Sequence, residues 1–367
     1  MRVLLLTTDA YGGHGGIALY NRDIVDALAA MPAVENAVVL ARTMPFEPTG
    51  VPTKATLVKA ALGGKLNFIR AGLRAAREPF DLVICGHINL LPLAALLNQV
   101  IRAPLALMVY GIDVWQSPNR MAKSWLRAVD SVWTISAITQ DRMNAWATLP
   151  VSRYVLLPNA IHLDRYGQGP RRADLLDRYG LRDARVIMTL ARLPSHERYK
   201  GVDEVLEVLP SLLQDIPNLK YLVAGDGDDR ARLTQKAQAL GLADHVVFAG
   251  MVAEADKADT FRLADAFVMP GRGEGFGFVF LEALACGVPA VGSLLDGSRE
   301  ALRGGELGEL ADPTDLTTVR ECILKALAKP PGIPPGLSYF DWPHFQSRLS
   351  GAVHLVIASE ARRSITQ

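Results

Sequence analysis

Two glutamates stand close together in a stretch that is otherwise glycine and bulky apolar, RGEGFGFVFLEALACGVPAVGS, Arg272–Ser293. Glu274 and Glu282 have seven residues between them, and Gly273, Gly275 and Gly277 alternate just before Phe278-Val279-Phe280-Leu281. The pattern reads as a strand over Ala266–Met269, a loop over Pro270–Gly275 and a helix from Gly277 onward. The first N–H groups of that helix, around Gly277, Phe278 and Val279, have no internal partner. With the positive end of the helix dipole they make an anion site suited to phosphate, and glycine lets a ligand come close. A carboxylate there repels phosphate, so Glu274 is aimed at a neighbouring hydroxyl-rich group. Glu282, a turn further on, can accept from a second hydroxyl pair. Hydroxyls, phosphates and hydroxyls in line describe a sugar nucleotide. The plainer alternative makes Glu274 a helix cap and Glu282 a solvated side chain. The apolar neighbours of Glu282 weaken it.

Other stretches offer rival chemistry. Gly13-x-Gly15-x-x-Ala18 in GGHGGIA follows a strand and opens a helix, as a dinucleotide fingerprint does. That fingerprint also wants an acid closing the second strand, which here ends Val39-Leu40-Ala41-Arg42. Asp226-x-Asp228 in GDGDD mimics a divalent-ion pair. The turn follows a strand, however, and Asp228 falls where a helix N-cap belongs, so no metal is expected there.

The elements that must position these residues come in two sets. Val3–Leu6, Ala37–Leu40, Leu82–Cys85, Leu105–Val109, Val132–Ile135 and Tyr154–Leu157 are short apolar runs bounded by turn residues, with helical patterns such as Ile17–Ala30 and Leu57–Ala76 between them. Val186–Leu190, Tyr221–Ala224, Val246–Phe248, Ala266–Met269 and Pro289–Val291 form a second set. Helices are expected there over Val202–Leu213, Arg230–Leu240, Thr260–Leu263, Val279–Ala285 and Leu316–Ala328. Apolar strands alternating with helices predict parallel sheets covered on both faces. The fold class is therefore α/β, two doubly wound domains facing a cleft, with ligands near the carboxyl ends of the strands. Pro158–Pro170 carries the linker signals, giving domains 1–165 and 166–340 and a last helix in 341–367 that crosses back to the first domain.

Composition fits. A chain of 367 residues, half of them hydrophobic, supports two domains with sizeable cores. The charges nearly cancel, with 39 Lys and Arg against 38 Asp and Glu, which argues against a nucleic-acid binder. Their distribution is uneven. Residues 1–157 hold 15 cations against 10 acids and the remainder 24 against 28. Cys85, Cys286 and Cys322 are too few and scattered for a disulfide framework or a metal site. MRVLLLTTDAYGG reads as a buried strand, not a signal peptide, and a cytoplasmic location follows. Lys54, Lys59, Lys65, Arg70, Arg74 and Arg77 accompany Leu57, Val58, Leu62, Leu66, Ile69 and Leu73 at helical spacing. Either a helix lies on anionic lipid, or its apolar stripe faces the core and its basic face is solvated.

EGFGFVFLE followed by ALACGVPAVGS resembles the retaining glycosyltransferases of family 4, of the bacterial polysaccharide type, which have the two-domain GT-B fold. ARLPSHERYKGVD (Ala191–Asp203) resembles that family's Arg…Lys-Gly segment, AGDGDD its glycine turn, PNAIHLDRY its interdomain segment and ISAITQDRM its Ser-x-x-Thr helix start. The resemblance covers nearly the whole chain. It implies donor binding in the C-terminal domain and acceptor binding in the N-terminal one. Arg192 and Lys200 would reach the donor diphosphate and neutralise the leaving group, at roughly 2.7–4 kcal/mol each by analogy with oxyanion-hole donors. Without the resemblance they read as surface cations. Glu274 would bind the donor sugar and face the developing oxocarbenium charge, Glu282 would hold the ribose, and Val252 would stand at the nucleobase pocket. Gly16 would lie in a loop closing over the diphosphate, with His14 a donor there or a surface histidine. Many relatives place a histidine where Tyr110 stands. On the acceptor side, either Tyr110 substitutes or His87 serves, with Asp113 orienting the acceptor or capping a helix.

The expectation is a retaining, metal-independent hexosyltransferase using a UDP- or GDP-linked sugar, with front-face attack as the family's usual proposal and no cofactor. The expected acceptor is a lipid-linked saccharide in surface-polysaccharide assembly, met at the inner face of the cell membrane. A nucleotide-sugar epimerase or NAD-dependent oxidoreductase on paired Rossmann-like domains is the alternative, and a non-catalytic sugar-binding protein a third.

Overall fold

The computed structural model describes residues 1–366 apart from His14, with side chains to residue 358. The chain divides into two compact units, Met1–Ala160 with Trp342–Gln367, and Ile161–Asp341. The last helix is thus part of the first unit.

The first unit is built on a seven-stranded parallel sheet: β1 (Arg2–Thr7), β2 (Asn36–Ala41), β3 (Ala55–Leu57), β4 (Leu82–Cys85), β5 (Leu105–Val109), β6 (Ser131–Thr134) and β7 (Tyr154–Leu156), in the order β3-β2-β1-β4-β5-β6-β7. The apolar runs are buried because both faces are covered. Crossovers between the parallel strands bring α2 (Lys65–Ala75), α3 (Leu91–Ile101) and residues Ala122, Leu126 and Met143 onto one core. On the other face lies α1 (Gly16–Ala30), against the C-terminal helix Trp342–Thr366, where Tyr20 and Phe345 meet edge to face at 5.9 Å. Strand order reverses between β1 and β4, which makes that point the crevice of the sheet.

The second unit repeats the design with six parallel strands: β8 (Arg185–Leu190), β9 (Leu219–Ala224), β10 (Val246–Gly250), β11 (Ala266–Val268), β12 (Ala290–Ser293) and β13 (Glu309–Ala311), ordered β10-β9-β8-β11-β12-β13. The reversal falls between β8 and β11. Its helices include α4 (Val202–Asp215), α5 (Arg230–Ala239), α6 (Lys257–Arg262), α7 (Phe278–Ala285) and α8 (Leu316–Ala328). A ladder of Phe261, Phe267 and Phe280, with ring centroids 5.6 and 5.3 Å apart, fastens α6, β11 and α7 together.

Three expectations need correcting. Leu57–Ala76 is not one helix: β3 ends at Leu57, and Gly63 and Gly64 at φ 87° and 123° separate it from α2. Two edge strands, β3 and β13, carry too little apolar contrast to stand out in the sequence. The stripe Leu66, Ile69 and Leu73 does not face the core. Phe68, Ala71 and Gly72 do, and the stripe is 68%, 40% and 49% exposed.

Candidate functional site

The second unit gathers its chemistry at the β8/β11 reversal. The loop after β8 carries Arg192 and Lys200, and the loop after β11 carries Glu274. These loops touch so closely that side chains are excluded. A Cβ on Gly201 would lie 2.7 Å from the Pro270 carbonyl oxygen, and one on Gly273 would enter the Tyr199 ring. The Tyr199 carbonyl accepts from Arg272 N at 2.8 Å, fixing the approach. Lys200 Nζ therefore stands 2.7 Å from Glu274 Oε2, the two side chains 17% and 20% exposed. Burial works against the Lys200 charge, but Glu274 outweighs it and raises its pKa, so the ammonium is kept at neutral pH.

Glu274 is held from below. Asp296 Oδ2 accepts from its backbone N at 3.0 Å, and Gly297 N donates to its carbonyl at 2.7 Å. Asp296 is wholly buried and also takes Ser298 N and Oγ at 3.1 and 2.6 Å. Burial raises its pKa to about 6. Glu274 Cγ lies 3.1 Å from the position a Cβ would take on Gly277, so the pair with Lys200 sits at the head of α7. Gly277 is left-handed, φ 93°, and caps α7 with no side chain. The N–H groups of Phe278 and Val279 find no acceptor among the described residues. A lysine beside an open helix N-terminus is a place for an anion.

Arg192 is 76% exposed and grips Glu197, with Nη2 3.0 and 3.1 Å from the two carboxylate oxygens. Glu282 lies in the second turn of α7 and is 1% exposed, not solvated. Its Oε1 accepts from Tyr166 Oη at 2.8 Å and Lys257 Nζ at 2.6 Å. Its Oε2 has no partner among the described residues. Val252 is half-buried in the loop after β10, next to Met251, which is 87% exposed. Asp228 is not a helix cap: α5 begins beyond Asp229, and Asp228 instead holds Ser195 N and Oγ, both at 2.7 Å, because the Leu193 carbonyl draws that turn onto the loop after β8. Among the described residues no cluster of His, Cys, Asp and Glu has metal-binding geometry.

The first unit's reversal is furnished differently. Tyr110 is buried, the single proton of its hydroxyl shared between two acceptors, Asn21 Oδ1 and the Gly86 carbonyl, each 2.8 Å away. Asn21 in turn donates to Thr7 Oγ1 at 2.6 Å and the Asp9 carbonyl at 2.7 Å. This hydroxyl is spent inside the fold. His87 is half-buried, its ring centroid 6.5 Å from that of Tyr110. Burial and nearby Arg42 lower its pKa, so it is neutral at pH 7. Nδ1 accepts from Asn89 N at 3.1 Å, which puts the proton on Nε2 and leaves Nε2–H as a donor. Asp113 Oδ1 accepts from Tyr110 N at 3.1 Å while its buried Oδ2 has no partner among the described residues, and burial raises its pKa to about 7. Gly16 is exposed at the start of α1. His14 lies outside the described residues.

Sequence reasoning missed Tyr166, Lys257 and Asp296. Lys257 in EADKAD reads as a surface charge, and nothing local marks Asp296 as buried.

With this geometry in view, residues 178–333 match the family described as Glycosyl transferases group 1. That match falls within the second unit and covers less than half of the chain. A GDP-mannose-dependent alpha-(1-6)-phosphatidylinositol monomannoside mannosyltransferase of Mycolicibacterium smegmatis is 34% identical over 233 residues, 60% of each chain. Its Mycobacterium tuberculosis namesake is 28% identical over 361 residues, 89% of each chain. The chain thus spans 60% of the first relative's length and most of the second's. Anabaena HepE, solved with UDP, superposes with a TM-score of 0.72 at 20% identity, over 96% of this chain and all of that one. At that identity the likeness shows the fold alone, which is GT-B, two Rossmann-like units in one chain. The matches favour neither an epimerase nor an oxidoreductase.

Proposed function

We propose that the enzyme is a retaining, metal-independent hexosyltransferase that moves a hexose from a GDP- or UDP-linked donor to a hydroxyl of a lipid-linked acceptor. The observation that carries this reading is the Lys200–Glu274 pair at the open head of α7. A diphosphate at the helix terminus takes Lys200 as its counter-ion, and Arg192, mobile enough at 76% exposure to leave Glu197, joins it. Glu274, released from Lys200, then faces the sugar. Two placed cations supply the leaving-group neutralisation that a metal ion supplies elsewhere. Glu282 takes the ribose, and the His87 Nε2–H serves the acceptor side. GDP is favoured over UDP, and mannose over other hexoses, because the sequence relatives are named for GDP-mannose.

Thermal shift against GDP, UDP and ADP tests the donor: a nucleotide at 100 times its Kd should stabilise by about 2.7 kcal/mol. Glu274→Gln should lower transfer by about two to three powers of ten while nucleotide affinity stays the same; unchanged turnover would remove Glu274 from the reaction. Retention is read from the anomer of the product, and metal independence from turnover in chelator.

For the acceptor, the reading commits to an anionic membrane face. No helix among the described residues is long and apolar enough to cross a membrane. Instead α2 presents Leu66, Ile69 and Leu73 outward among Lys65, Arg70, Arg74 and Arg77, and neighbouring α3 adds Leu96 and Val100, 48% and 68% exposed. Apolar side chains ringed by cations suit an interface of lipid headgroups. The relatives' names place a phosphatidylinositol mannoside in the acceptor role for those proteins. The protein should float with anionic vesicles at low salt, and a Lys59/Lys65/Arg70/Arg74 to Gln variant should not. Wild-type protein that stays at the bottom of the gradient disproves the membrane reading.

A further inference from the structure

Around Glu282 the helix is apolar: Phe280, Leu281, Ala283 and Leu284 are all buried. A carboxylate in such a place loses its hydration and takes up a proton unless a cation is beside it. Lys257, the first residue of α6, is that cation, 2.6 Å from Oε1 with its side chain only 16% exposed. Its other acid neighbour, Glu254, is 3.8 Å away and 82% exposed, a surface pair that holds it weakly. Tyr166 closes the same oxygen from the other side at 2.8 Å. One carboxylate oxygen is therefore saturated, and the other, equally enclosed, is bare. Buried acceptors are nearly always paired, so Oε2 asks for a donor that the described residues do not supply. Its two lone pairs match the two O–H groups of a vicinal diol.

Resting on the reading that Glu282 meets the donor's ribose, we propose that Lys257 is a positioning residue for nucleoside recognition. It holds the Glu282 carboxylate charged and turned, so that Oε1 stays with Lys257 and Tyr166 and Oε2 accepts from the ribose hydroxyls. Burial raises the pKa of Glu282, and Lys257 is the strongest influence pulling it back. Without Lys257 the carboxyl takes a proton. It then brings its own O–H to a ligand that also brings O–H groups, and the preference for a diol is lost.

Calorimetric titration of the full chain with GDP and 2′-deoxy-GDP, and with UDP and 2′-deoxy-UDP, tests this. Wild type should bind the better ribonucleotide roughly tenfold or more tighter than its deoxy partner, the worth of one hydrogen bond to a charged group. Lys257→Met should bring the ratio near one by weakening the ribonucleotide alone, and Lys257→Arg should restore most of it. Should Lys257→Met fail to fold, Tyr166→Phe removes one donor to Oε1 without stranding a charge and should shrink the ratio severalfold. Equal loss for both ligands, with the ratio intact, is a purely structural effect and overturns the proposal while sparing Glu282. No discrimination by the wild type itself takes away the ribose role of Glu282, and with it that of Lys257.

Discussion

The two units share a topology and differ in what they place where their strand order reverses. The first places beside His87 and Asp113 a run of neutral groups, in which Thr7, Asn21, Tyr110 and the Gly86 carbonyl are joined by hydrogen bonds. The second fills it with charges brought together by loops, Lys200 on Glu274 with Asp296 beneath. A closed neutral network fixes shape and costs little to bury. A half-buried ion pair at an open helix end is costly to keep unless something replaces one partner. The difference implies that the Tyr110 network is scaffold and the Lys200–Glu274 loops are machinery, although the fold treats the two reversals alike.

The sharpest test exchanges single atoms in each. Glu274→Gln and Lys200→Met should lower turnover by two to three powers of ten, on the order of 2.7–4 kcal/mol of lost transition-state stabilisation. Tyr110→Phe should leave turnover within a few fold. If steady-state rates show Tyr110→Phe as damaging as Glu274→Gln, the neutral network takes part in the chemistry and the contrast fails. Next in size, Gly225→Ala should cost about 3 kcal/mol in denaturant unfolding. Its Cβ would lie 1.8 Å from the Ala191 carbonyl oxygen, and glycine is left-handed there at φ 128°. Tyr110→Phe itself should cost about 1–3 kcal/mol, since it leaves Asn21 Oδ1 and the Gly86 carbonyl unpaired.

The smallest effect is one of pH. Asp113 has its pKa raised by burial from 3.8 to about 7, so the folded state holds a proton that the unfolded state releases between those values. Its contribution is present below pH 4 and is lost as pH rises through 7. Asp113→Asn should match wild type near pH 4 and be more stable by roughly 1–3 kcal/mol between about pH 5 and 6. Parallel stability curves for the two proteins would show that Asp113 is not buried as a charge at all.

The strands were legible because a doubly covered sheet demands continuous apolar runs, and Val3–Leu6 or Val186–Leu190 admit little else. The edge strands β3 and β13, three residues each, lack that demand. In Leu57–Leu73 the periodicity was real, but its direction was not in the sequence. Phe68, Ala71 and Gly72 make the smaller stripe, and that one is buried because Gly72 lets Leu97 come within reach. At the site, Glu274, Glu282 and Lys200 announced themselves through glycine spacing. Tyr166 and Lys257 arrive at Glu282 from 116 and 25 residues away, and no local pattern records such a meeting.

The first unit is interrupted. Its chain leaves at Ala160 and returns at Trp342, and the returning helix packs on α1, with Phe345 against Tyr20 and Leu349 and Val353 buried. During synthesis, at roughly 5–20 residues per second, the whole second unit emerges while the α1 face stands uncovered. The second unit, continuous in the chain, can finish first, and the first must wait tens of seconds for its last wall. A chain ending at Asp341 and released from the ribosome would present a folded C-terminal half beside an N-terminal half still lacking its last wall, although the N-terminal half was made first.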